Sequence, residues 1–183
     1  MALTTVKNAG LAGSIDLTAK VTGALPAANG GTGATSYAPG KVLQVVNVVN
    51  GTVDSTTSST LADTSLTLNI TPSATSSTIL AVVKINGVYV SHEDTSLDLA
   101  LFRDSTQIVD FGGTVGLVTS NTTNDSGQTG DGITYLDSPS STSQLTYKVK
   151  FASSDNTTQI QINNYIRGSI RPKSSITLME ISA

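Results

Sequence analysis

With 183 residues, no cysteine, and 10 Lys+Arg set against 13 Asp+Glu, the chain is long enough for a real core but excludes disulfides, thiolate metal sites and a cysteine nucleophile. Its net charge of -3 provides no basic surface to neutralise a run of phosphates, so nucleic acid is not an expected partner. Only 13% of the residues are charged; solubility rests on Ser, Thr, Asn and Gly, a surface suited to an assembly or to display outside cells rather than to a cytosolic enzyme.

The opening Met1-Ala2-Leu3-Thr4-Thr5-Val6-Lys7 lacks the apolar block of a signal peptide, and no run approaches the roughly 20 apolar residues that span a bilayer. Synthesis in a cytoplasm without membrane insertion is the expectation. Residues 1–36 differ in kind from the rest: Leu3, Val6, Leu11, Ile15, Leu17, Val21 and Leu25 stand singly among Thr, Gly, Lys and Asp, too sparse for a private core. Such a segment is either a flexible tail or an extended element ordered where equivalent apolar residues of several chains meet around an axis. Pro26 would fix the approach to that axis, and Gly30, Gly31 and Gly33 would allow close backbone contact there.

From residue 37 onward the pattern is that of strands. Val42–Val49, Ser65–Ile70, Ile79–Val90, Leu97–Phe102, Gln107–Phe111, Gln144–Phe151, Thr158–Ile166 and Ser175–Ile181 are rich in Val, Ile, Leu, Thr or Tyr and bounded by turn-forming residues. Helical spacing of apolar residues is absent. Ile79-Leu80-Ala81-Val82-Val83 is continuously apolar, so both of its faces should be covered, one by the facing sheet and the other by a neighbouring subunit. Arg103-Asp104-Ser105-Thr106 reads as the turn of a hairpin. In Leu145–Phe151 the Leu, Tyr, Val and Phe take one face and Thr, Lys, Lys the other. About eight such strands predict an all-β antiparallel sandwich, with jelly-roll winding as the expected topology, over residues 37–183. The polar runs Gly51–Thr64 and Ser120–Gly132 are expected as projecting loops.

Little in the sequence points to catalysis or cofactors. His92 is the single histidine, and beside Glu93 and Asp94 it fits a solvated turn better than a triad or a zinc site. Asp94, Asp98, Asp104, Asp110, Asp125 and Asp131 could supply a carboxylate pair for glycoside hydrolysis, but their spacing selects no pair and polar loop positions account for them. Asn124–Gly132 alternates oxygen ligands with glycine yet lacks the terminal Glu of an EF-hand loop, so no metal is expected. The glycines at 30, 31 and 33 lack the Lys-Ser/Thr of a phosphate-binding loop.

Gly23-Ala24-Leu25-Pro26-Ala27-Ala28-Asn29-Gly30-Gly31-Thr32-Gly33, with the preceding Ile15–Thr22, resembles an element of tailed-phage fibre proteins. Phe102–Ile108 and Ser174–Ile181 resemble strands of fibre knobs from phages of marine bacteria and cyanobacteria, themselves similar to trimeric jelly rolls of the tumour-necrosis-factor and complement-C1q type. The resemblance implies a non-enzymatic virion protein without cofactor: a homotrimeric fibre or knob, anchored to other virion proteins through residues 1–36. It places Leu25, Pro26, Asn29, Gly30, Gly31 and Gly33 at the trimer or anchor, and leaves tail fibre and capsid-surface fibre or decoration protein as alternative attachments. The resemblance does not extend to the long adaptor and shaft that precede this element in full-length tail fibres, which leaves the attachment point, tail or capsid, open. Asn121, Asn124, Asp125, Gln128 and Asp131 form the candidate receptor-facing loop, with a host-surface glycan as candidate partner and a lectin-like module as the competing reading.

Overall fold

The computed structural model describes residues 41–90, 95–115, 129–164 and 171–183. The segment 1–36, the His92-Glu93-Asp94 run, and Asn121, Asn124, Asp125 and Gln128 lie outside the described residues. The described part is all β, with no helix. Its strands are β1 (Val42–Asn50), β2 (Asp54–Thr56), β3 (Ala62–Ile70), β4 (Thr78–Val90), β5 (Ser96–Arg103), β6 (Thr106–Val115), β7 (Thr129–Asp137), β8 (Leu145–Ser153), β9 (Ile160–Ile162) and β10 (Ser174–Ile181).

Two antiparallel sheets form a sandwich. The first runs β1-β10-β4 with β7 on the far side of β4, and the short β2 and β9 extend it along the second half of β4. The second runs β3-β8-β5-β6. Pairing is nested: β1 with β10, β3 with β8, β4 with β7 and β5 with β6, as in one long hairpin wound over itself. The innermost hairpin turns at Asp104-Ser105, as its sequence requires. Asp104 takes φ 54°, accepts from the Thr146 amide at 2.9 Å and donates its own amide to the Thr146 carbonyl at 2.7 Å.

Alternation decides which side chains fill the space between the sheets. Leu145, Tyr147, Val149 and Phe151 of β8 point inward and are buried, while Thr146, Lys148 and Lys150 face out. Opposite them stand Ile79, Ala81, Val83 and Ile85 of β4 and Ile176 and Leu178 of β10, all nearly inaccessible. Ile160 and Ile162 are fully buried too. Each such side chain contributes about 1.5–3 kcal/mol relative to an exposed one, so these residues dominate the stability of the body.

Three polar groupings close the core. Asp137 ends β7 in the first sheet and meets two residues of the second: Arg103 Nη1 donates to both of its oxygens at 2.7 Å, and the Tyr147 hydroxyl donates to Oδ2 at 2.6 Å. Glu180, buried on β10, accepts from the Ser73 amide at 2.7 Å, the Ser73 hydroxyl at 2.6 Å and Gln44 Nε2 at 2.6 Å, fixing the β3–β4 connection to the sheet. At the kink of β4, Gly87 adopts φ 63°; a Cβ there would lie 2.3 Å from Pro172 Cγ and 2.6 Å from the Asn164 carbonyl oxygen. The Asn163 and Asn164 amides donate to the carbonyls of Asn86 and Gly87, so the chain leaves β9 against this kink.

Several sequence expectations are corrected. Gly51–Thr64 is not one loop: β2 pairs with β9, and β3 already starts at Ala62. Of the expected strand Thr158–Ile166, the described residues 158–164 contain only the three of β9, and Asn163 turns at φ 57°. Asp131 is not on a loop but in β7, opposite Ile85. The expected loop Ser120–Gly132 overlaps β7 at its last four residues, which include Gly130 and Gly132. They are accommodated because β4 supplies a backbone edge, and a Cβ at Gly132 would lie only 2.5 Å from the Val83 carbonyl oxygen.

Candidate functional site

The two sheets present unlike outer faces. On the β3-β8-β5-β6 sheet the outward positions carry Asp63, Lys148, Lys150, Asp98 and Asp110. Lys148 and Lys150 both reach Asp63 at 3.2 Å, and the Lys150 ammonium lies 4.8 Å from the centre of the Phe102 ring. This is a solvated, charge-paired surface.

The β1-β10-β4-β7 sheet differs. Its register lines up Val45 with Met179, Met179 with Leu80, and Leu80 with Leu136, an apolar row that crosses all four strands on the outer face. The next row is Asn47, Thr177, Val82 and Thr134, and the one after it Val49, Ser175, Lys84 and Gly132. Val42 and Ile181 continue the apolar surface beyond the first row. Met179, Leu80 and Val82 are half-buried by their neighbours, whereas Val45 is 56% exposed and Leu136 55%. Among the described residues every large apolar side chain that is strongly exposed belongs to β1 or β7, the two outer strands of this sheet. Among the described residues of these four strands, Lys84 is the only charge at an outward position. This apolar row, on a sheet whose counterpart carries charges outward, makes the outer face the candidate site among the described residues.

The expectation that Ile79–Val83 would be covered on both faces is met by the core on one side; on the other, Leu80 and Val82 face outward and are half-buried by their strand neighbours alone. Sequence reasoning missed Val45, Met179 and Leu136 as members of this face; the apolar run through β1 was the available signal, but its partners come from distant strands.

Two other places were weighed. A groove of about 300 Å³ on the second sheet is lined by Ser59, Leu61, Asp98, Leu99, Asp110 and Ala152. It brings together two of the aspartates singled out from the sequence, with apolar neighbours. Asp155, by contrast, is consumed by its own loop. It accepts from the amides and hydroxyls of Thr157 and Thr158 at 2.6–2.9 Å and from the Thr95 hydroxyl at 2.7 Å, and these donors hold its carboxyl well below the usual range. Among the described residues no group of three or more His, Asp or Glu side chains is placed to hold a metal ion. Of the candidate receptor loop only Asp131 is described, and it sits half-buried in β7.

No protein-family model matches the chain, and no curated protein matches it. Among solved structures, it is similar to the infectious bursal disease virus VP2 subviral particle over 75% of its length, at 12% identity and a TM-score of 0.39. The chain spans 39% of the length of that VP2 chain.

Proposed function

We propose that the chain is a non-enzymatic structural protein of a virion, whose β body serves as a knob in a homotrimer and whose residues 1–36 anchor it to other virion proteins. The observation that carries this reading is the apolar row Val45, Met179, Leu80 and Leu136 across the outer face of the β1-β10-β4-β7 sheet, set against a charged face on the other sheet. An interaction module needs such a surface; a monomeric enzyme does not. The nested pairing of β1 with β10 through β5 with β6 supports a jelly-roll winding of the body. The Leu25–Gly33 element supports a phage fibre, with the tail as the preferred attachment and the capsid surface as the alternative.

The test is incorporation. Protein lacking residues 1–36 should fold as the intact β body yet be missing from purified virions, with wild type quantified beside it. Recovery of the truncated protein at normal copy number would remove the anchoring role. Imaging labelled protein on whole particles separates tail from capsid. The Asp98 and Asp110 groove favours a second reading, a glycan-binding module, since carboxylates accept from sugar hydroxyls while apolar side chains pack their C–H faces. Replacing both aspartates by Asn and losing cell binding with particle incorporation intact would support that reading.

A further inference from the structure

One end of the β1-β10-β4-β7 sheet is polar on its outer side. Beyond the row Val49, Ser175, Lys84 and Gly132 comes a last one in which Gly51, Lys173, Asn86 and Gly130 stand beside one another, with Asn86 Nδ2 donating to the Lys173 carbonyl at 2.7 Å and the glycines flanking them. We infer that this end of the sheet is a binding site for an acidic sugar, a ring that carries a carboxylate together with hydroxyls. The site is separate from the Asp98 and Asp110 groove and does not depend on the homotrimer reading.

Charge calls for an anion. Among the described residues the ion pairs take up Arg103, Lys148 and Lys150, whereas Lys84 and Lys173 are exposed and have no carboxylate partner. Lys84 is paired with Ser175, so Lys173 is its diagonal neighbour, about 7–8 Å away at the backbone. Asp131, between Gly130 and Gly132, is paired with the buried Ile85 and alternates to the other side of the sheet. Two ammonium groups at that distance repel each other, and an anion between them turns the repulsion into attraction. On a chain of net charge -3 they make a local field opposite in sign to that of the whole molecule.

Shape and hydrogen bonding narrow the anion to a sugar acid. A Cβ at Gly130 would lie 3.1 Å from Asn86 Oδ1 and 3.3 Å from Lys84 Nζ, and one at Gly51 would lie 3.2 Å from Lys173 Cγ. Both lysines therefore lie across glycines, positions that let a flat ligand come close to the backbone. Asn86 Nδ2 is taken by Lys173, but among the described residues nothing donates to Asn86 Oδ1, and the Ser175 hydroxyl makes no hydrogen bond. The ligand that completes this set brings a carboxylate for the lysines and hydroxyls for Asn86 Oδ1 and Ser175 on one rigid ring. Fully ionised phosphate brings no donor. An acidic peptide side chain brings its carboxylate on a flexible stem, with no hydroxyl beside it. The carboxylates of the Asp98 and Asp110 groove would repel such a ligand, so the acidic sugar belongs to this face.

Calorimetric titration of the full-length protein with a trimer of galacturonic acid should show binding that weakens as salt is raised, and none with the matching galactose trimer. Because both lysines are exposed, K84Q/K173Q should keep the wild-type melting temperature; it should weaken the uronate at least about tenfold through the loss of charge-assisted hydrogen bonds. S175A should weaken it by about three- to tenfold. Unchanged affinity in K84Q/K173Q, no binding of the uronate trimer at millimolar concentration, or equal binding of the galactose trimer overturns the site. Inorganic phosphate or a poly-glutamate peptide that binds as tightly as the uronate overturns the sugar assignment and leaves a general anion contact only. Failure here is distinguishable from failure of the virion reading, which is scored by incorporation into particles.

Discussion

Removing one hydroxyl should test the polar clamp that joins the two sheets. Tyr147 is fully buried, and its hydroxyl donates at 2.6 Å to Asp137, a carboxylate only 6% exposed. Burial, and then the Asp137 carboxylate beside it, push the phenol well above its ordinary pKa, so it stays a neutral donor at any working pH. In Tyr147→Phe the ring still fills its place, but the carboxylate keeps only Arg103 as a partner. A hydrogen bond to a buried charge is worth about 1.5–3 kcal/mol, so the variant should lose about 2 kcal/mol. For a body of this size that is a fall in Tm of roughly 6–10 °C. Urea denaturation at fixed protomer concentration measures it, since assembly would otherwise shift the midpoint. Asp137→Asn should cost more, about 3–5 kcal/mol, by leaving Arg103 without its counter-charge. The double variant should then cost at least 1 kcal/mol less than the two single losses summed. A Tyr147→Phe protein within about 0.5 kcal/mol of wild type would refute the clamp, because surface changes alone fall in that range.

Facing within β8 gives a second contrast: Val149→Asp should unfold the body by burying an unpaired charge, while Lys148→Asp, which gives up a partly exposed ion pair with Asp63, should cost about 1 kcal/mol or less. Equal melting losses for the two would show the strand facing to be wrong. Gly87→Ala should destabilise by roughly 3 kcal/mol, since φ 63° and the contact with Pro172 both oppose a Cβ; a thermal melt matching wild type counts against the tight kink. Burial of Glu180 by itself would raise its pKa, but the donors on Ser73 and Gln44 outweigh this and lower it to about 2 from 4.5. Its contribution to stability is therefore complete above about pH 4.5 and disappears as pH falls toward 2. Glu180→Gln should lose less stability than wild type between pH 5 and pH 3, at roughly those limits, in urea titrations; parallel losses would exclude this carboxylate as the acid-sensitive group.

The strands that were legible in the sequence are those whose own alternation sets their facing. Leu145–Phe151 and Ser174–Ile181 each contain enough inward Leu, Ile, Val or aromatic side chains to define a buried face locally. The Asp104-Ser105 turn was legible for the same reason, because its chemistry acts over two residues. β7 and β2 were not. Thr129–Asp137 contains two glycines and Asp54–Thr56 no apolar residue, and both become strands only because β4 and β9 offer unpaired backbone groups beside them. Function follows the same division. The apolar run at Ile79–Val83 pointed to a strand covered on both sides, but the apolar row across the outer face exists only in the assembled sheet. Val45, Met179, Leu80 and Leu136 come from four separate strands and become neighbours through antiparallel register. The Arg103, Asp137 and Tyr147 clamp likewise draws on both sheets, whose distance is set by the packed core between them. Local periodicity thus determined the strands and their inward faces, whereas the winding of the sandwich alone decided which outward residues stand side by side, because register is a relation between distant segments that no single segment encodes.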